Sequence, residues 1–146
     1  MKKEVRNITL LVDEAARERA RESHRTLTRL VANKVKAAGS IPRRNRLIDL
    51  SANIGDKPFL FEMKSTVPGN FHSQVRRAVA QLYEYRYIQQ IETPRLVVIT
   101  ESAPPRDLAW MVDYLIEDRQ ILLAWDGDGK TLNFPAELEN ELYFLA

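Results

Sequence analysis

The chain of 146 residues contains no cysteine, so disulfides and thiolate metal sites are excluded, and its length fits one domain with a core of its own. No apolar run reaches the length of a membrane span, and residues 1–12 lack the apolar centre of a secretory signal, so a soluble cytoplasmic protein is expected. The net charge of +2 hides an asymmetry: residues 1–46 carry 13 Lys and Arg against 5 Asp and Glu, whereas residues 47–146 carry 9 against 15.

Asn7 to Val12 (NITLLV) reads as a short strand, with Asp13 capping a helix that runs to about Ala38 and stops at Gly39. Ala20, His24, Leu27 and Val31 form the apolar stripe of that helix. A lone histidine on such a stripe reads first as a hydrogen-bonded core residue, so His24 is not assigned to a site. The helix is basic, and so is the loop Arg43-Arg44-Asn45-Arg46 after it. Such a surface suits a phosphate backbone, whose contacts give affinity without reading sequence. The competing reading is a solvated helix that pairs with the acidic half of this chain or of a second one. Phosphate binding is preferred because the basic loop leads straight into the strand that bears Asp49. With no aromatics interleaved, a stacking platform for single strands is not expected.

The next stretch, RNRLIDLSANIGDKPFLFEMKS, reads as two alternating strands around a turn at Gly55-Asp56. A two-residue hairpin loop there makes residues whose numbers sum to 111 face each other. Ile48 then faces Met63, Leu50 faces Phe61 and Ala52 faces Phe59, an unbroken apolar face that a one-residue slip would turn the wrong way. The other face pairs Leu47 with Lys64 and Asp49 with Glu62. Opposed carboxylates repel unless one is protonated or a cation sits between them. Hard cations such as Mg²⁺ accept this kind of oxygen donor. Lys64 follows Glu62 by two and shares its face, so an ammonium stands ready to orient an attacking water or to offset charge on a phosphate. The bland alternative is a solvated strand face.

Asn70 to Gln90 carries Val75, Ala78, Val79, Leu82 and Tyr85 at helical spacing, behind a turn at Pro68-Gly69, with Ser73 or Asn70 as N-cap. Gln74, Arg77, Gln81 and Tyr85 lie along one edge of that helix, where amides and a hydroxyl suit carboxylates, waters or a phosphate. They equally suit an ordinary surface helix. Pro94 to Glu101 reads as a buried strand, Pro104 to Arg119 as a helix, and Gln120 to Trp125 as another strand. Asp126-Gly127-Asp128-Gly129 reads as a turn rather than a calcium loop, because the glutamate such a loop needs later is missing. A short strand at Thr131 to Phe134 and a brief amphipathic helix over Pro135 to Ala146 complete an α/β sandwich. No Walker or Rossmann glycine pattern is present.

Asp49, then Glu62-Met63-Lys64, then Gln81-Leu82-Tyr83-Glu84-Tyr85, in that order and spacing, resembles the PD-(D/E)XK nuclease superfamily. The Gln-Leu-x-x-Tyr run is similar to the helix motif of its RecB-like branch, and QVRRAVAQLYEYRY resembles a group of small restriction-endonuclease-like proteins. The resemblance covers roughly residues 24 to 125. It implies a restriction-endonuclease-like αβββαβ core with a mixed sheet flanked by helices, and a nuclease acting most often on DNA. Residues matching Asp49 and Glu62, with the Met63 carbonyl, would bind Mg²⁺ or Mn²⁺. Lys64 would assist the water, Gln81 and Gln74 would support the site, and Tyr85 would anchor the helix.

Arg43, Arg44, Arg46, Arg76 and Arg77 are the candidates for holding the nucleic-acid backbone, and cutting both strands would call for a homodimer. Two departures stand out: no proline precedes Asp49, and the first-helix glutamate that many members carry has only Glu18 and Glu22 as candidates, Glu22 lying off the apolar stripe. The opening NITLLVDEAARERARE also resembles ribbon-helix-helix DNA-binding proteins. The rival expectation is therefore a non-catalytic DNA binder or a regulatory subunit on a degenerate nuclease fold. Residues 1–146 are read as one domain, with residues 1–23 an extension suited to dimerisation.

Overall fold

Helix, hairpin, helix, strand, helix and strand follow one another in the computed structural model as the sequence pattern requires; it describes residues 2–146, with side chains from residue 14 onward. Helix α1 spans Lys2–Ala37 without a break. The strand expected at residues 7–12 and the cap expected at Asp13 are therefore corrected. Once the Ala-, Arg- and Glu-rich run beyond residue 13 is helical, each further residue adds a hydrogen bond without a new nucleus, and the NITLLV segment extends the helix. The helix stops at Gly39, where φ is +85°. There the Gly39 N–H donates to the Lys36 carbonyl and the Ser40 N–H to the Val35 carbonyl, the paired bonds of a Schellman end.

One mixed sheet of five strands runs β1 (Leu50–Ile54), β2 (Lys57–Lys64), β3 (Arg95–Thr100), β4 (Ile121–Asp126) and β5 (Leu132–Asn133), in that spatial order. The β1–β2 and β4–β5 pairs are antiparallel; β2–β3 and β3–β4 are parallel. Parallel neighbours need crossovers. Helix α2 (Phe71–Gln89) makes the first, and α3 (Trp110–Asp113), continued by a π turn over Tyr114–Asp118, makes the second. Two strands precede α2, and an isolated antiparallel bridge between Arg43 and Ser51 lies beside β1.

The hairpin has the expected register: Leu50 faces Phe61, Ala52 faces Phe59 and Ile54 faces Lys57. Gly55, at φ +65°, takes the position that a side chain would strain. Both faces of the sheet are covered. On one, Leu27, Val31 and Val35 of α1 pack with Leu50, Phe59, Phe61, Met63, Val97 and Ile99. The tail closes this face through Leu138, Leu142 and Leu145, around the short helix α4 (Glu139–Leu142). On the other, Val75, Ala78 and Leu82 of α2 pack with Leu60, Leu96 and Val98, and with Met111 and Leu115.

Ile48 belongs to this second face and not to the face of Met63, a correction to the expected pairing. The ladder ends at Leu50, and a turn built on Asn45 rotates the chain ahead of it. Asn45 Oδ1 accepts the Leu47 and Ile48 N–H groups at 2.8 and 3.1 Å, so Leu47 is left exposed rather than facing Lys64. At the start of α2, Asn70 occupies the cap position, but its side chain turns back to accept the Val67 N–H, and Ser73 lies inside the helix. Among the described residues no helix is long and apolar enough to cross a membrane.

Candidate active site

Asp49 sits in the bend just before β1, and Glu62 and Lys64 close the carboxyl end of β2. That is the end of a parallel sheet where loops leave room for ligands. The Met63 N–H donates to Asp49 Oδ2 at 2.9 Å, so the carboxylate takes up the hydrogen bond that the vanished β1 ladder would have supplied. A strand residue turns its N–H and C=O to the same edge. The Met63 carbonyl therefore faces the Asp49 side as well. Lys64 Nζ lies 3.3 Å from Glu62 Oε2, with both side chains largely enclosed.

His24 joins this group from α1, its Nε2 3.0 Å from Asp49 Oδ2. Its imidazole is part of the site and not only of the helix stripe. Glu18 is instead held by Arg21 and Arg25 at 2.7 and 3.6 Å on the exposed side of α1. Glu22 is exposed, its carbonyl accepting the Thr26 hydroxyl.

The electrostatics follow from crowding. Burial, then the charge of Asp49, pushes the Glu62 carboxyl up to about 7, against the opposing pull of Lys64. Burial also acts to raise Asp49, but hydrogen bonds from His24 and from the Met63 N–H outweigh it and hold that carboxyl below its usual range. The hydrogen bond to Asp49 raises the His24 imidazole against the effect of its own partial burial. Near neutral pH one of the two carboxyls thus takes a proton that a cation would displace.

Among the described residues no three His, Cys, Asp or Glu side chains are placed to hold a metal ion. Two carboxylates and a backbone carbonyl make a smaller oxygen set, of the kind Mg²⁺ accepts when water and substrate complete its shell. The donor chemistry and the raised Glu62 both fit such an ion.

The helix residues divide. Gln74 Nε2 donates to the Ser65 carbonyl at 3.0 Å and fixes the strand end beyond Lys64. Gln81 is exposed, and among the described residues it makes no hydrogen bond to Asp49, Glu62 or Lys64. Tyr85 is buried, and its hydroxyl accepts from Asn45 Nδ2 at 2.9 Å. It therefore anchors the turn that aims Asp49. Tyr85→Phe should cost roughly 1 kcal/mol of stability through that lost bond, measurable by urea unfolding. Unchanged stability would mean that the turn stands without the bond.

Asn45 and Glu101 escaped the sequence reading. Glu101 accepts the Thr66 N–H at 3.0 Å and pairs with Arg19 at 2.9 Å, tying α1 to the ends of β2 and β3. Its position at the end of an apolar strand run was the only available signal. A cleft of about 340 Å³ opens beside Lys64, walled by Arg21, His24 and Arg25 on one side and by Ser65 and Gln74 on the other. Arg43, Arg44, Arg46, Arg76 and Arg77 are all exposed. No family model, curated protein or solved structure matches the chain.

Proposed function

We propose that the chain is a metal-dependent nuclease that hydrolyses phosphodiester bonds in nucleic acid, DNA foremost, on a restriction-endonuclease-like core. The observation that carries this reading is the meeting of Asp49, Glu62 and Lys64 beside an arginine-walled cleft. Asp49, Glu62 and the Met63 carbonyl would hold Mg²⁺ or Mn²⁺. When bound, the ion supplies Lewis-acid stabilisation of the charge that builds on the phosphate.

The remaining work falls to the chain. His24 and the Met63 N–H grip Asp49 Oδ2, which fixes the direction in which that carboxylate is presented. Lys64 orients the attacking water toward phosphorus and offsets the charge that gathers as the opposite P–O bond breaks. Gln74 keeps the strand end at Ser65 in place, and Gln81 supports the site from the same edge of α2 once substrate fills the cleft. Arg21 and Arg25 lie closest to hold the neighbouring phosphates, with Arg43, Arg44, Arg46, Arg76 and Arg77 extending the track outward. One site cuts one strand, so cleavage of both strands would use a homodimer.

A DNA-binding protein without catalysis is the competing reading, favoured by the basic first helix. Its ribbon-helix-helix form loses its ribbon, because residues 7–12 are helical. The deciding experiment offers supercoiled, linear and single-stranded DNA, and RNA, to the purified protein with Mg²⁺, Mn²⁺ or EDTA. Cleavage that needs the cation and stops in EDTA is expected. Binding without cutting on every substrate would turn the assignment to the non-catalytic protein.

A further inference from the structure

The largest cavity described lies at the opposite end of the sheet from Lys64, among the starts of β3 and β4 and the end of α2, and the nuclease reading makes no use of it. It encloses about 910 Å³, within the range of small-molecule sites. Three guanidiniums, those of Arg86, Arg95 and Arg119, line it against one carboxylate, Glu141. Arg86 Cζ lies 4.7 Å from the centre of the Tyr83 ring, and the Tyr83 hydroxyl donates to the Arg119 carbonyl. Tyr83 thus places the Arg86 guanidinium and ties the Arg119 backbone to α2.

Arg119 Nε is held by Asp118 at 2.9 Å, which orients that guanidinium while using one of its five donors. Arg95 Nε stands 3.2 Å from Glu141 Oε2, an ion pair that holds this guanidinium at the cavity wall.

A second observation converges on the same place. Gln90, Thr93 and Gln120, at φ 51°, 46° and 57°, are the non-glycine residues with left-handed backbone among those described, and all three line this cavity. Gln90 and Gln120 take it where α2 and the π turn end, as helix ends commonly do. Thr93 instead takes it in the loop before β3, where it is unfavourable for a β-branched residue and where such outliers mark ligand sites.

We propose that this cavity binds a nucleotide, with its phosphates on Arg86, Arg95 and Arg119 and its base against the apolar floor of Leu96, Leu122 and Leu138. Three arginines against Glu141 and the Asp118 that pairs with Arg119 leave a net positive charge, which favours an anionic ligand. A bare phosphate would leave the floor uncovered and most of the volume unfilled. Tyr87, 84 % exposed at the rim, offers a ring on which a base can stack. The assignment is independent of the chemistry at Asp49 and Lys64.

The test is calorimetric titration of the full chain at low salt with ATP, dTMP and inorganic phosphate, repeated on Arg86→Gln, Arg119→Gln and Lys64→Ala. Both arginines are exposed, so unchanged thermal unfolding of their variants is the control for folding. ATP or dTMP should bind, phosphate at least about tenfold more weakly, and each arginine variant should weaken the nucleotide by about tenfold. Lys64→Ala should bind as the parent does. Absence of nucleotide binding, equal binding of phosphate, or binding lost in Lys64→Ala but kept in the arginine variants would each overturn the proposal.

Discussion

Lys64→Ala is expected to lower cation-dependent cleavage by about 10²- to 10⁴-fold, the span that a positioned proton-handling side chain contributes. The magnitude follows from placement. Lys64 Nζ is 3.3 Å from Glu62, largely enclosed, and at the floor of the cleft. A charge held there sits where a phosphate oxygen would come, and loose surface lysines cannot replace it. Nucleic-acid binding should survive, because the exposed arginines supply most of the phosphate contacts. Nicking rates on supercoiled DNA and fluorescence anisotropy in EDTA separate the two effects. Lys64→Arg sharpens the result: it keeps the charge but cannot give up a proton, so recovery of activity would assign Lys64 to charge compensation rather than proton handling. Cleavage by Lys64→Ala at the parental rate would remove the lysine from the mechanism.

Glu62→Gln should lose cleavage while gaining stability at alkaline pH. Glu62 titrates at about 7 in the folded chain against 4.5 when unperturbed. Below the lower value both states hold the proton and no cost arises. As pH climbs from 4.5 past 7 the folded state must ionise a carboxyl that burial and Asp49 disfavour, and stability falls by roughly 3 kcal/mol. His24 acts in the same direction: its raised value gives stability that is complete below 6.5 and lost as pH rises through the folded value.

Asp49, held low, contributes above its ordinary 3.8 and is lost only as pH falls through its folded value, outside this window. The glutamine variant keeps the larger, Asp49-borne part of the His24 share and removes that of Glu62. At pH 8 it should therefore melt several degrees above the parent, and at pH 4.5 beside it. Added Mg²⁺ should raise the melting temperature of the parent at pH 8 but not that of the variant, because only a cation that binds the folded state stabilises it. A parent whose stability is flat between pH 5 and 8 would contradict the crowding of Asp49 and Glu62.

The hairpin register was legible because alternation and a two-residue turn determine it together, and Leu50–Phe61 and Ala52–Phe59 face each other accordingly. The same rule fails two residues beyond the ladder's end. Alternation describes a ladder, and at Ile48 the ladder has already given way to the turn on Asn45. The strand expected at residues 7–12 gives way for a related reason: a local β preference is overridden by the helix that follows directly.

His24 could not be placed from sequence, since its partner Asp49 lies 25 residues away and no periodic signal links them. Glu101 was hidden in the same way, its contacts with Thr66 and Arg19 being products of the tertiary fold. Gln74 and Tyr85 were found through their common helix edge. That edge reveals which residues are neighbours but not what they touch, and they hold the Ser65 carbonyl and Asn45 rather than the carboxylates.

The tail over Leu138 to Leu145 seals the inner face of α1, a contact across more than a hundred residues of chain. Folding is therefore expected to run on two clocks. Asp49 and Glu62 meet through a local hairpin, which forms in microseconds. His24 reaches Asp49 only when α1 docks, and the surface on which α1 docks includes that distant tail, the kind of non-local closure that slows folding. The two acids thus come together early, while the histidine that steadies them arrives among the last contacts made.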